Sequence, residues 1–304
     1  MNMNSLGRAA LTLALLPLMA SADESTEHAV EFRAGSGYRY DSNVSIDEID
    51  RTSFQADNAW LLDVGIGFGI DFTDRLSLEL DYDYSLTSYQ DLSGFDIGLH
   101  QASTGLAYST NEFDAGVTAR YFAAQLDDSG FLDVGQAATH VGRLFGERVY
   151  LRGGLTYSDK DFADQPLRDA DNAELRADAY YLLDGMRRYV SASYSHGREN
   201  SVGPGFDYLS HTARFAYGHQ LNIAALPVDL KAALRVEQRD YRNAMPTLGE
   251  PREDERFLAG LSAAVPLNRH LRFEAEAEYA DNASNLASAD YDETVVSVSL
   301  ATRF

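Results

Sequence analysis

Cysteine is absent from this 304-residue chain, lysine occurs only at Lys160 and Lys231, and proline is scarce. Without cysteine, an exported protein has no disulfide framework, so its stability must come from packing and hydrogen bonding. Positive charge is also short, with 25 Lys and Arg against 47 Asp and Glu. That balance argues against nucleic acid as a partner, because phosphate binding needs clustered cations. Past the amino terminus, no apolar run is long enough to cross a bilayer as a helix.

The amino terminus reads as a secretory signal peptide over residues 1–22. Met1 to Arg8 carries one positive side chain and no acid. Ala9 to Met19 is an apolar run broken by Thr12 and Pro17, and Ala20-Ser21-Ala22 is a small-x-small cleavage site. No cysteine follows, so no lipoprotein anchor is expected. The mature chain, 23–304, is expected to form one domain.

What the chain has in quantity is alternation. At the carboxy terminus Thr294, Val296, Val298, Leu300, Thr302 and Phe304 fall on one face, while Glu293, Val295, Ser297, Ser299, Ala301 and Arg303 fall on the other. Such alternation marks a strand with different solvents on its two sides. The clearest case runs from Trp60 to Phe72: Trp60, Leu62, Val64, Ile66, Phe68, Ile70 and Phe72 face one way, opposite Gly65, Gly67 and Gly69. Alternating glycines suit a wall whose inner face meets water or crowded lumen side chains better than a packed soluble core.

The same pattern recurs near 28–40, 76–86, 97–108, 112–126, 131–145, 148–158, 172–183, 188–198, 206–220, 227–241, 255–266, 270–280 and 291–304. The segment 131–145 is the least regular. Short connections alternate with longer polar ones at 41–57, 90–96, 127–130, 159–171, 199–205, 242–254 and 281–290. Strands of ten or more residues are near the length that crosses a membrane at a tilt. Short turns on one side and long loops on the other are how outer-membrane barrels are built. The fold expected is all-β, a transmembrane antiparallel up-and-down barrel of about fourteen strands, or twelve or sixteen with one hairpin misread. It belongs in a bacterial outer membrane after signal-peptide cleavage.

The inward face predicted from the alternation carries both signs of charge. The candidates for the lumen wall are Arg33, Arg39, Glu79, Asp81, Asp83, Arg120, Arg152, Arg176, Arg214, Arg235, Arg239, Arg272, Glu274, Glu276 and Glu278. Arginines on one wall and carboxylates on another set up a transverse field, which either selects polar solutes or is consumed by ion pairing in a filled lumen. The acidic loop Ser45 to Asp50 is read as a solvated polar loop, with calcium binding or divalent bridging to lipopolysaccharide as the alternative.

Catalysis finds little support in the residues. There is no nucleophile elbow, and alternation puts His196 on the face opposite Ser193 and Ser195. The chain is therefore expected not to be an enzyme and to need no cofactor or metal.

One octapeptide and the last hairpin carry a resemblance. Gly37-Tyr38-Arg39-Tyr40-Asp41-Ser42-Asn43-Val44 resembles the Gly-Tyr-x-x-Asp-Ser-Asn-Val opening of the barrel domain in surface lipoprotein assembly modifiers. Tyr279 to Leu286, then Asp290-Tyr291-Asp292 and a final strand ending in Phe, is similar to that family's last hairpin. The resemblance implies fourteen strands and a role in exporting or displaying a protein or polymer, with a surface lipoprotein or periplasmic protein as partner. It differs in one respect: that family carries a periplasmic helical-repeat domain before the barrel, and here the first strand is expected just after the cleavage site. The terminal Phe304 resembles the signal read by the barrel-assembly machinery. Outer-membrane lipid and lipopolysaccharide are the remaining expected partners. A porin for small polar solutes and a structural or adhesive barrel stand as alternatives.

Overall fold

The computed structural model describes residues 29–223 and 226–304; the signal peptide read at 1–22 lies outside the described residues. The barrel strands are β1 (Ala29–Asp41), β4 (Asp57–Thr73), β5 (Leu76–Tyr89), β6 (Ile97–Ser109), β7 (Phe113–Leu126), β8 (Ser129–Phe145) and β9 (Val149–Phe162). They continue as β10 (Ala170–Leu182), β11 (Arg188–Ser201), β12 (Tyr208–Ile223), β13 (Leu226–Ala244), β14 (Pro251–Pro266), β15 (Leu271–Ser284) and β16 (Tyr291–Arg303). These fourteen strands form one closed antiparallel barrel. Two short strands, β2 (Ser45–Ile46) and β3 (Arg51–Thr52), form a separate hairpin within the first loop.

Closure removes the free edges that a bilayer cannot tolerate. At the seam β1 and β16 pair from Arg33 opposite Arg303 to Asp41 opposite Val295. Phe304 extends the ladder: its N–H donates to the Phe32 carbonyl at 3.0 Å and its own carbonyl accepts from the Phe32 N–H at 3.0 Å. Its ring stacks on His270, with centroids 5.0 Å apart. At the other end Ser42 N–H donates to the Thr294 carbonyl at 2.9 Å. The seam is thus hydrogen-bonded from end to end.

Alternation places the apolar side chains outward, where Val64, Ile66, Leu155, Leu175, Leu234, Val296 and Val298 are exposed to the hydrocarbon. Aromatic rings cluster at the two rims, as side chains with a polar tip do at bilayer interfaces. Phe72, Tyr108, Phe113, Phe145 and Tyr181 lie at the short-turn end, and Tyr40, Trp60, Tyr121, Tyr157, Tyr194 and Tyr279 toward the long-loop end. Beyond the second rim the outer face turns acidic. Asp133 opposes Asp161, Asp159 opposes Asp171, Asp240 opposes Glu253, and Asp281 opposes Asp292. Directly opposed like charges repel, so these positions belong in water above the bilayer.

Two local departures from the alternation have physical causes. The connection expected over 127–130 is only Asp127-Asp128, both at positive φ (51° and 59°). Paired left-handed residues match the twist of flanking strands in a two-residue hairpin. The irregular pattern near 131–145 comes from a register shift beside Ala124 and Gln125. It releases Phe131 inward against Phe162, 6.1 Å away edge-on.

The glycine stripe of β4 has an occupant. Arg33, on the adjacent strand, lays its guanidinium across β4 to reach Asp81 at 3.0 Å and Asp83 at 2.9 Å on β5. A Cβ on Gly65 would overlap the Asp83 carboxylate, and one on Gly67 would sit 2.9 Å from Asp81 Oδ1 and 3.0 Å from Arg33 Nη1. Gly65→Ala should therefore displace Asp83 and lower barrel stability by about 1–2 kcal/mol. The drop should be absent in a Gly69→Ala control, because a Cβ there meets nothing within 4 Å. Urea unfolding of both variants in detergent checks this.

Candidate functional site: a lumen closed by its first loop

The first loop does not project into solvent. It folds into the lumen, and this corrects the expectation of a solvated acidic loop at Ser45 to Asp50. The turn is made by the octapeptide's own polar residues. Asp41 accepts from the Asn43 N–H at 3.0 Å and from the Tyr89 hydroxyl at 3.1 Å, and the Asn43 side-chain amide donates to the Asp292 carbonyl at 3.0 Å. The chain then enters the barrel as the β2–β3 hairpin, closed by a single 3-10 turn at Asp47–Ile49 and a left-handed Asp50.

Two unlike walls hold this loop. Val44 and Ile46, both about 1% exposed, pack with Ala59, Tyr89 and Phe95, and Ile49 packs against the Leu99, Phe122, Val134 and Phe162 cluster. This apolar lining covers the inner face from β4 to β9. Across the lumen β13 and β14 present a charge checkerboard. Glu237 lies between Arg235 and Arg239 along its strand and opposite Arg256, while Asp254 lies between Arg252 and Arg256 and opposite Arg239. Arg239 Nε donates to Glu237 at 2.7 Å, and Arg252 Nε to Asp254 at 2.7 Å.

The acid side of the loop locks onto that second wall. Asp50 is ion-paired with Arg252 at 2.9 Å and accepts a hydrogen bond from Arg168. Arg168 also donates to the Glu48 carbonyl at 2.9 Å. Tyr291 donates to Asp47, and Arg256 stands 3.6 Å from it. Burial alone would raise the Asp50 carboxyl, but the Arg252 and Arg168 guanidiniums overcome that and hold it at about 2. Ring faces orient the arginines: Arg168 lies over Phe206 at 4.4 Å, Arg239 over Tyr208 at 5.0 Å and Arg252 over Tyr241 at 4.9 Å.

Toward the short-turn end the lumen holds segregated charge. Arg39, Asp63, Glu274, Glu276, Ser297 and Ser299 line a small cavity of about 70 Å³. Glu278 continues this acidic wall up β15. On the other side stand Arg120, Arg152, Arg176, Arg214 and Arg235. Arg176 is paired with Asp178 at 2.8 Å, and Arg235 with Glu237. Arg120 reaches only Gln136, at 3.2 Å. Among the described residues no carboxylate lies within 4 Å of Arg120, Arg152 or Arg214. Arg214 sits directly opposite Arg235, cation against cation.

The charged positions singled out in the sequence thus divide into two groups. Arg33 meets Asp81 and Asp83, Arg239 meets Glu237, and Arg272 meets Glu274 at 3.1 Å. Glu79 stays exposed. Of the residues that lock the loop, Arg168, Arg252 and Arg256 were absent from the sequence candidates, and Asp47 and Asp50 were read only as part of the acidic loop. Their signal was the alternating charge of Arg252-x-Asp254-x-Arg256, on one face of a strand and matched by Arg235-x-Glu237-x-Arg239 on its neighbour. Ser195 is buried on the lumen side while His196 faces outward, its ring tilted by 32° against that of His211 with centroids 4.6 Å apart.

No protein-family model matches the chain, and no curated protein matches it in sequence. Solved structures do. An anion-selective porin from Comamonas acidovorans superposes with a TM-score of 0.55 at 10% identity, covering 92% of this chain and 100% of that one. A loop L8 deletion mutant of OmpT, an outer membrane protein of Vibrio cholerae, gives 0.52 at 11% identity, covering 91% and 99%. A bacterial polysaccharide outer membrane secretin gives 0.50 at 12% identity, covering 90% and 98%. The chain is an outer-membrane β-barrel. The exclusion of enzyme activity made from the sequence does not stand. The likeness to OmpT and to the porins, at such low identity, carries the fold alone, and this leaves catalytic status unestablished.

Proposed function

We propose that the barrel is a constricted channel for small polar solutes, with its first loop as the gate. The observation that carries this reading is the division of the lumen. A charge-segregated chamber lies at the short-turn end, and a loop anchored on the lumen wall by side-chain contacts closes the long-loop end. Among the described residues the β2–β3 hairpin is strand-paired only within itself, so its hold on the wall can be released without breaking the barrel ladder. A transverse field inside a narrow lumen orients dipolar solutes and slows bare ions of either sign. Lipid against the apolar wall and lipopolysaccharide beside the acidic belt are the partners that fit this reading.

The test is planar-bilayer conductance of the refolded full chain, alongside a variant whose residues 45–53 are replaced by a short Gly-Ser linker. Rare small openings in the parent and steady, several-fold larger steps in the variant are expected. Silence from both, in protein that migrates as a folded barrel, would refute the channel.

A second reading is export or surface display of a protein or polymer, as the resemblance to surface lipoprotein assembly modifiers implies. It is favoured by one observation: Ser42 and Asn43, from the octapeptide that carries the resemblance, bond Thr294 and Asp292 of the last strand at the outer end of the seam. A cross-link between cysteines placed at Tyr38 and Val298, opposite each other across the seam, separates the two readings. It should abolish export through an opening seam and leave diffusion through the lumen unchanged.

A further inference from the structure

We propose that the outer wall over β9 to β12 seats one phosphorylated lipid of the outer leaflet, with its phosphate on Arg198, His196 and His211 and an acyl chain in the groove beneath them. The inference does not depend on the channel reading. The lipid-facing wall carries two grooves of about 740 Å³ each. The first has a floor of Gly153, Ala177, Ala179, Ala192 and Ala213, with the exposed rings of Tyr194 and Phe215 beside it. The ladder brings these together: Gly153 is opposite Ala177, Ala179 opposite Ala192, and Ala213 opposite Tyr194. Side chains cut to a methyl or a hydrogen leave a depression between the rings, and an acyl chain lying in it gains contacts that a flat wall does not offer. The second groove is floored in the same way, by Ala232, Ala259 and Ala277.

The two grooves differ in the charge above them. Toward the long-loop end the second groove meets the outward carboxylates of Glu255 and Glu253 on β14, Asp281 on β15 and Asp292 on β16. The outward positions above the first groove run along β11 from Ala192 through Tyr194 and His196 to Arg198, and along β12 from Ala213 through His211 to Leu209. The acidic belt is therefore interrupted over β11 and β12, between the Asp159–Asp171 pair on one side and the Asp240–Glu253 pair on the other. Asp171, at the edge of this gap, is taken by the Tyr157 hydroxyl.

The gap holds the groups that a phosphate needs. Arg198 is exposed, its Nε donates to the neutral Asn200 Oδ1 at 2.8 Å, and it makes no ion pair among the described residues. His196 lies directly opposite His211. The Tyr194 hydroxyl, 2.6 Å from His211 Nδ1, fixes that ring and leaves its other nitrogen to a ligand. Tyr194 belongs to the aromatic rim, so these three side chains stand at headgroup depth. A guanidinium takes a phosphate through paired N–H groups, and a basic patch in line with an acyl groove selects a phosphorylated lipid by charge and by shape.

Native mass spectrometry of the refolded full chain in detergent tests this, with bisphosphorylated lipid A as probe and dephosphorylated lipid A and inorganic phosphate as comparisons. EDTA is present throughout, so that divalent ions cannot bridge phosphate to the acidic belt. One saturable lipid A adduct is expected, with the dephosphorylated lipid about tenfold weaker and inorganic phosphate unable to displace it. Arg198→Gln should weaken the adduct about tenfold, and Arg198→Lys much less. Ala192→Phe should weaken it severalfold by filling the first groove, whereas Ala259→Phe, the same change in the second groove, should leave it unchanged. Heat-modifiable migration shows that each variant is folded. No adduct, equal retention of the two lipids, or equal effects of the two Phe variants would overturn the proposal. Displacement by inorganic phosphate would mean a site for the free anion and would overturn the lipid.

Discussion

Asp50→Asn should convert a mostly closed channel into a mostly open one. The carboxylate pairs with two arginines, Arg168 and Arg252, and Arg252 is about 1% exposed. Removing one partner of a buried charge pair costs about 3 kcal/mol, because the remaining charge is left unsolvated. Applied to the closed loop, that is a shift of roughly two orders of magnitude in the opening equilibrium. The barrel ladder itself is untouched, so the variant should keep its heat-modifiable gel migration while its open probability rises. Unchanged gating in a folded variant would mean that the apolar contacts of Val44, Ile46 and Ile49 hold the loop alone.

Acid should act in the same direction. The Asp50 carboxyl is held at about 2, below its ordinary value of 3.8. A group with a depressed folded pKa stabilises the structure above its unfolded pKa and loses that contribution as pH falls through the folded one. Closure should therefore be constant from neutral pH down to about 4 and weaken progressively toward pH 2. Asp50→Asn should flatten that part of the profile in bilayer recordings.

The barrel was legible in the sequence because lipid and lumen impose a period of two along every strand. Trp60 to Phe72 and Thr294 to Phe304 could hardly be read otherwise. The loop was not legible, for the same reason that it matters. Its burial is decided by where the barrel closes, which brings Asp50 from the first loop against Arg252 at the base of a late strand. Local composition sees only an acidic stretch, and acidic stretches are usually solvated. The glycines at Gly65 and Gly67 are an intermediate case. Their lack of side chains announced a crowded or wet inner face, but the occupant, Arg33, lies on the neighbouring strand and reaches across to β5. The break near Phe131 shows the opposite limit, where one inserted residue spoiled a pattern without spoiling the wall.

The segregated charge of the lumen carries the other large expected effect. Glu274→Gln, Glu276→Gln and Glu278→Gln together should move ion selectivity toward anions, and Arg120→Gln, Arg152→Gln and Arg214→Gln together should move it toward cations. A unit charge at roughly 8 Å from the solute path contributes about 0.5 kcal/mol in water, so three contribute ~1.5 kcal/mol, about a tenfold change in local ion concentration. The three arginines have no carboxylate within 4 Å among the described residues to cancel them. Both shifts should be plain at 0.01 M salt, where the screening length is about 30 Å, and nearly vanish at 1 M, where it is about 3 Å. Reversal potentials across a salt gradient measure this, with the loop-replaced variant as background so that current is large enough to read. Shifts of the same sign in both triple variants would mean that the two walls do not face one solute path. Opposite shifts that survive 1 M salt would mean that the side chains act by narrowing the lumen. Opposite shifts that fade with salt are what a transverse field requires.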